Sequence, residues 1–304
     1  MLPHMAKLKP RIGLALGSGG ARGWAHIGVL SALAEHGVTP DLVAGCSIGA
    51  FVGAAIADGD LDQLADWVRV LDRQKLMSFL DVSFRGGLIK GDKLIQFFSQ
   101  QFVDRDFAQL PVPFACVATD LVTGREVWLR EGNVARAVRA SIALPGLFTP
   151  VEYNGTWLVD GGLVNPVPVS LCRAMGADIV IAVDLSLDPA NRIDRPGSPQ
   201  SAGEGRPWWR LFSRNGAESA SSAEGSSNPS LLEVVTSSIN LMQVRIARSR
   251  LAGEPADVLI SPRLNQMGLM DYYRADEAIE EGRRAVERSL AALRHAMDLP
   301  GMPS

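Results

Sequence analysis

Cysteine, histidine, an excess of one charge and long apolar runs are all in short supply in this chain, and each shortage excludes something. The three cysteines, Cys46, Cys116 and Cys172, are odd in number and far apart. That spacing offers neither a disulfide framework nor a zinc site, and it fits reduced thiols in a cytosolic setting. Lysine plus arginine (30) nearly balances aspartate plus glutamate (33), so no basic face is expected to hold nucleic acid. The longest uncharged small-apolar run, Leu42 to Ala57, falls short of the ~20 residues that a spanning helix needs. Met1 to Pro10 carries lysines but no apolar centre, which reads as a flexible terminus rather than a signal peptide. Histidine occurs four times, as His4, His26, His36 and His295.

Against these absences, Ser47 stands at the centre of Gly45-Cys46-Ser47-Ile48-Gly49, directly after the apolar run Leu42-Val43-Ala44 and before helix-compatible sequence from Ile48 to Ala57. A strand, a sharp turn and a helix in that order form a nucleophile elbow, whose geometry demands small residues two before and two after the serine. Gly45 and Gly49 supply them. The plain alternative is a glycine-rich turn with an exposed serine. Cys46 occupies the variable position before the serine and reads as a small buried residue.

A second glycine-rich segment, Gly17-Ser18-Gly19-Gly20-Ala21-Arg22-Gly23, follows Arg11 to Leu16, which reads as a buried strand, and precedes a helical stripe of Trp24, Ile27, Leu30 and Leu33. Backbone N–H groups at such a junction point outward, and the helix dipole adds partial positive charge, so the loop is built to hold an anion. A dinucleotide pyrophosphate fits poorly. Gly17 and Gly19 would require glycine at Arg22, and Gly20 and Gly23 would require it at Ser18. The following strand also ends on Ser47 where a ribose-binding acid would stand. The other candidate anion is the oxyanion formed when Ser47 attacks an ester carbonyl.

A serine nucleophile needs a base. A Ser, Asp, His chain order would demand His295, which falls on the amphipathic pattern Ile279, Val286, Leu290, Leu293, Met297 and reads as a solvated helix residue. His26, one turn into the first helix, reads as a packing residue and stays a second candidate. Among the acids, Asp160 stands out in Trp157-Leu158-Val159-Asp160-Gly161-Gly162, where it ends an apolar strand and opens a tight turn whose glycines, Gly161 and Gly162, keep the carboxylate accessible. Seen alone, it could equally cap its own turn.

Four blocks in order make the chain resemble the patatin-like phospholipase family, in its bacterial branch related to neuropathy target esterase. They are Gly17 to Gly23, Gly45 to Gly49, Arg139-Ala140-Ser141-Ile142-Ala143-Leu144-Pro145-Gly146, and Asp160-Gly161-Gly162-Leu163-Val164-Asn165-Pro166-Val167-Pro168. The similarity covers about Arg11 to Leu185. It implies a Ser–Asp dyad with Ser47 as nucleophile and Asp160 as base, the segment Gly17 to Gly23 as oxyanion hole, phospholipid, lysophospholipid or another acyl ester as substrate, and no metal or cofactor. Ser18 stands where the family usually has the first glycine of this loop.

Strands are expected at Ile12–Leu16, Leu42–Gly45, Phe114–Leu121, Glu126–Leu129, Thr156–Val159, Ile179–Leu185 and Val258–Ser261. Helices are expected at Trp24–His36, Ile48–Ala57, Leu61–Leu71, Gly91–Val103, Val134–Ile142, Val167–Met175, Leu231–Leu251 and Asp276–Met297. This alternation predicts a three-layer α/β/α fold with a mainly parallel central sheet. The catalytic core should run from 11 to 185, and residues 231–304 should pack on the same domain. Between them, residues 186–230 are rich in Ser, Gly and Pro and are expected to form a surface linker. Within the linker, Trp208, Trp209, Leu211 and Phe212 lie among arginines, which suits either peripheral contact with an anionic bilayer at the inner membrane face or a latch over the chain's own groove. A non-catalytic membrane-associated adaptor would explain that cluster but not the elbow and Asp160 together.

Overall fold

The computed structural model describes residues 10–79, 89–186 and 231–297. Residues 1–9 of the expected terminus, nearly all of the 186–230 linker and the Trp208–Phe212 cluster lie outside them. The strands are β1 (Ile12–Leu16), β2 (Leu42–Cys46), β3 (Phe114–Asp120), β4 (Glu126–Leu129), β5 (Val151–Tyr153), β6 (Thr156–Asp160), β7 (Ile179–Val183) and β8 (Val258–Ile260). The helices are α1 (Ala25–Glu35), α2 (Ile48–Asp58), α3 (Leu61–Arg69), α4 (Arg73–Ser78), α5 (Asp92–Gln101), α6 (Val134–Ser141), α7 (Val169–Ala174), α8 (Leu231–Gly253) and α9 (Ala275–Met297).

All eight strands join one mixed sheet. β3, β2, β1, β7 and β8 run parallel, while β4 and β6 pair antiparallel with β3, and β5 with β6. The parallel strands read as continuous apolar runs because both faces are covered. Leu14, Leu16, Val43 and Cys116 point into one buried cluster, which also holds side chains of α1, α2, α6 and α9. Their neighbours Ala15, Leu42, Ala44 and Ala115 point into the other, with α7 and Ala247 of α8.

β3 is the element that brings distant sequence together. Its Val117 pairs with Cys46, the last residue of β2, and the next residue, Ala118, pairs with Asp160, the last of β6. Because Val117 and Ala118 both also pair with β4 on the other edge, β6 takes over the edge of β3 where β2 ends. The ends of β2 and β6 therefore meet.

Several expectations need correction. The first helix does not start at Trp24: a 3-10 turn spans Gly20–Trp24, entered through Gly20 at φ 57°, and α1 begins at Ala25. The helix expected at 167–175 shortens to α7, and the strand at 179–185 ends at Val183. α4 and β5 were not foreseen. β5 turns into β6 through Asn154 and Gly155, both at positive φ, the two-residue hairpin chemistry of an Asn-Gly pair. On α8 the apolar stripe Leu231, Val235, Ile239, Met242 and Ile246 is expected to face the core; Ile239 does, but Met242 is 51 % exposed, and Gln243, Val244 and Ala247 are buried instead. A buried glutamine breaks the apolar pattern from which the face was read.

Candidate active site

Ser47 sits between β2 and α2 at φ 55° and ψ −123°, a strained conformation for a side chain with a Cβ. The neighbouring glycines explain how the turn closes. A Cβ on Gly45 would lie 2.5 Å from the Ala50 Cα, and one on Gly49 would lie 2.2 Å from the Leu16 carbonyl oxygen, so neither position admits alanine. The turn is also pinned from α6. The Ser47 N–H donates to the Ser141 hydroxyl at 2.9 Å, and that hydroxyl, wholly buried, donates to the Val117 carbonyl at 2.7 Å. Nothing in the sequence around Ser141 announces this role.

The Ser47 hydroxyl donates to Asp160 Oδ2 at 2.5 Å. The carboxylate is wholly buried; its Oδ1 accepts the Gly162 N–H at 2.7 Å, and the Asp160 backbone carbonyl accepts the Thr119 hydroxyl at 2.8 Å. Burial raises the Asp160 pKa to about 6, against the pull of the hydrogen bonds from Ser47 and Gly162. Gly161 lets the turn lie against β3, since a Cβ there would come within 2.2 Å of the Val117 oxygen.

In the glycine loop, the N–H groups of Gly17, Ser18 and Ala21 donate to Val183, Pro166 and Leu269 carbonyls. Gly19 and Gly20 instead line the pocket that contains Ser47, and among the described residues no backbone acceptor takes their N–H groups. Arg22 turns inward: its Nε donates to the Gly19 carbonyl at 3.0 Å and one Nη to Asn240 of α8 at 3.0 Å. Gly23 is packed against Ile48 at the start of α2. His26 is fully buried and faces the loop, not Ser47. Its Nε2 donates to the Gly17 carbonyl at 2.8 Å, and burial lowers its pKa to about 4, which leaves it neutral near pH 7. His295 stands exposed in the last turn of α9. The three cysteines are free and buried, and burial raises the thiol pKa of each.

The pocket above Ser47 is almost entirely apolar. Trp24, Phe51, Trp67 and Phe79 form an aromatic wall, with ring pairs 6.0 to 6.4 Å apart, and Leu144, Leu147 and Phe148 face them. Gln243 and Tyr272 enter it from the C-terminal segment. Neither had been singled out from the sequence, and neither had the aromatic wall. Among the described residues no group of three or more His, Cys, Asp or Glu side chains is placed to hold a metal, and no helix is long and apolar enough to cross a membrane.

A mixed α/β sheet with an elbow serine hydrogen-bonded to a buried carboxylate at the floor of an apolar pocket is the architecture of a lipid-ester hydrolase. Residues 14–173 match the family model described as patatin-like phospholipase, so the chain belongs to the patatin-like phospholipase family and is an esterase or phospholipase. It is 35 % identical to an uncharacterized NTE family protein of Mycobacterium tuberculosis, over 93 % of this chain and 92 % of that one. It is 30 % identical to the lysophospholipase NTE1 of Phaeosphaeria nodorum, over 95 % of this chain and 19 % of the fungal protein. Human patatin-like phospholipase domain-containing protein 6 is 34 % identical over 67 % of this chain and 15 % of its own length.

Proposed function

We propose that the protein hydrolyses the carboxylic ester of a phospholipid or lysophospholipid with a Ser47–Asp160 dyad. The observation that carries this reading is the 2.5 Å hydrogen bond from the Ser47 hydroxyl to the buried Asp160 carboxylate beneath an apolar pocket. As Ser47 Oγ attacks the ester carbonyl, Asp160 Oδ2 takes its proton. The carbonyl π pair moves to oxygen, and the Gly19 and Gly20 N–H groups stabilise the resulting oxyanion. Collapse of this intermediate breaks the C–O bond of the leaving alcohol, to which Asp160 returns the proton. Water, deprotonated by the same carboxylate, then releases the fatty acid and restores Ser47. A carboxylate raised to about 6 is a stronger base than an exposed one and is still ionised at pH 7. The apolar lining gives the acyl chain a place to bury, at roughly 0.8 kcal/mol per methylene. The named lysophospholipase among the relatives supports a lipid substrate.

A fluorophosphonate probe tests the nucleophile. Labelling should occur at Ser47 and vanish in Ser47→Ala, together with nitrophenyl ester hydrolysis; a Ser47→Ala protein that keeps its rate refutes the dyad. Peripheral contact with anionic membrane through Trp208, Trp209, Leu211 and Phe212 is part of the proposal, supported by residue chemistry alone. It predicts that Trp208→Ser with Trp209→Ser weakens co-sedimentation with anionic vesicles while leaving soluble-ester hydrolysis unchanged. Equal binding before and after rules the anchor out and leaves the latch.

A further inference from the structure

Besides Ser47, two polar side chains line the pocket, Gln243 and Tyr272, and Gln243 is the one packed against the turn that carries the base. Gln243 of α8 is 8 % exposed, lines the same pocket as Ser47, Gly19 and Gly20, and has no hydrogen-bond partner among the described residues. Neither of its amide atoms is among the wholly buried side-chain atoms left without a partner, so the carboxamide is open to the pocket and to what binds there. Its position is defined by the turn that follows the base: a Cβ on Gly162 would lie 2.4 Å from Gln243 Nε2 and 2.9 Å from Asp160 Oδ1, so the amide flanks the carboxylate. The helix that presents it is held on both sides of that point. One turn earlier Asn240 accepts from Arg22, and two turns later Arg250 pairs with Glu126 and donates to the Val164 carbonyl at 3.1 Å.

We infer that Gln243 is a specificity residue that hydrogen-bonds a free hydroxyl on the leaving alcohol, next to the scissile ester, and so favours monoacyl glycerolipids over substrates lacking that hydroxyl. This rests on the esterase reading above. Asp160 hands its proton to the departing alkoxide, so a group beside Asp160 faces the alcohol half of the substrate, whereas Gly19 and Gly20 face the carbonyl oxygen. A neutral carboxamide offers one acceptor and two donors, the complement of a hydroxyl, and offers no charge for a phosphate. The acyl chain has no use for it, since the lining away from Ser47, Gln243 and Tyr272 is apolar. Gln243 lies beyond the 14–173 match, so this recognition belongs to the C-terminal segment and not to the portion the family model describes.

The test compares kcat/KM on 1-acyl lysophosphatidylcholine, on the same lipid with its free hydroxyl replaced by hydrogen, and on a nitrophenyl ester of equal chain length. Wild-type protein should prefer the hydroxylated lipid by about tenfold or more, because a buried group left unpaired by the deoxy lipid is penalised. Gln243→Met keeps the volume and removes the hydrogen bond. It should collapse the preference to about one, the readout being the ratio of kcat/KM on the hydroxylated lipid to that on its deoxy analogue within the same protein. A preference unchanged in Gln243→Met overturns the inference, as does an equal fall on all three substrates, which would make Gln243 a support for the Gly162 turn. A wild-type protein that cleaves none of the three refutes the esterase reading itself, a result distinct from either of these.

Discussion

Asp160→Asn should make the protein inactive and more stable at the same time. Burial moves the Asp160 pKa from 3.8 to about 6, a change of about two units. At ~1.4 kcal/mol per unit, keeping this carboxylate ionised in the folded protein costs about 3 kcal/mol. The sign follows from proton binding. The unfolded chain releases this proton near pH 3.8 and the folded protein near 6, so between those values the folded state holds more protons and stability falls as pH rises. Asparagine preserves the shape: its carbonyl accepts from the Gly162 N–H, and its amide meets Ser47 Oγ, so the substitution removes the penalty without opening a cavity. Relative to wild type, the variant should gain roughly 0.5 kcal/mol at pH 4, roughly 1.5 kcal/mol at pH 5 and about 3 kcal/mol at pH 8. His26 acts in the opposite direction, since its lowered pKa removes stability as pH falls from 6.5 towards 4, but it is present in both proteins and cancels in the difference. Urea unfolding followed by tryptophan fluorescence at pH 5 and pH 8 measures the gain. A difference independent of pH, or a variant less stable than wild type at pH 8, would show that Asp160 is not held against its solvation preference.

The same carboxylate should govern rate. In the wild-type protein kcat/KM for a soluble ester should fall tenfold per pH unit below an acid limb near pH 6, a limb that His26→Gln leaves in place; a limb near 4, or one that His26→Gln removes, would take the base role from Asp160. Ser141→Ala leaves the Ser47 N–H and the Val117 carbonyl unpaired in a buried site, so unfolding should come about 1 to 3 kcal/mol earlier and kcat should drop as the elbow loosens; wild-type values in both assays would contradict the pinning. Gly282→Ala tests the α1–α9 crossing, where a Cβ would lie 2.1 Å from the Ala25 carbonyl oxygen. Thermal unfolding should report a loss of about 1 to 3 kcal/mol, and a neutral outcome would mean that the helices are free to separate.

What was legible in the sequence is what short-range chemistry determines. The elbow declares itself because Ser47 needs Gly45 and Gly49 within two residues, and β1, β2 and β7 declare themselves because burial on both faces leaves unbroken apolar runs. Asp160 was visible as an acid at a strand end, but its meeting with Ser47 depends on β3 pairing first with β2 and then with β6, a register that no local pattern announces. β5 was missed although Asn154-Gly155 is a strong turn signal, because three residues are too few to show alternation. The pocket was illegible for a deeper reason. Its walls come from α2, α3, α4, α5, the segment after α6 and the C-terminal segment, and each apolar residue that contributes looks locally like ordinary core. Gln243 poses the converse problem: the apolar stripe expected on α8 passes it by, and the helix buries it. What orients α8 are polar contacts that no stripe announces, Arg22 to Asn240 and Arg250 to Glu126 and the Val164 carbonyl, and with those in place Gln243 falls beside the Gly162 turn.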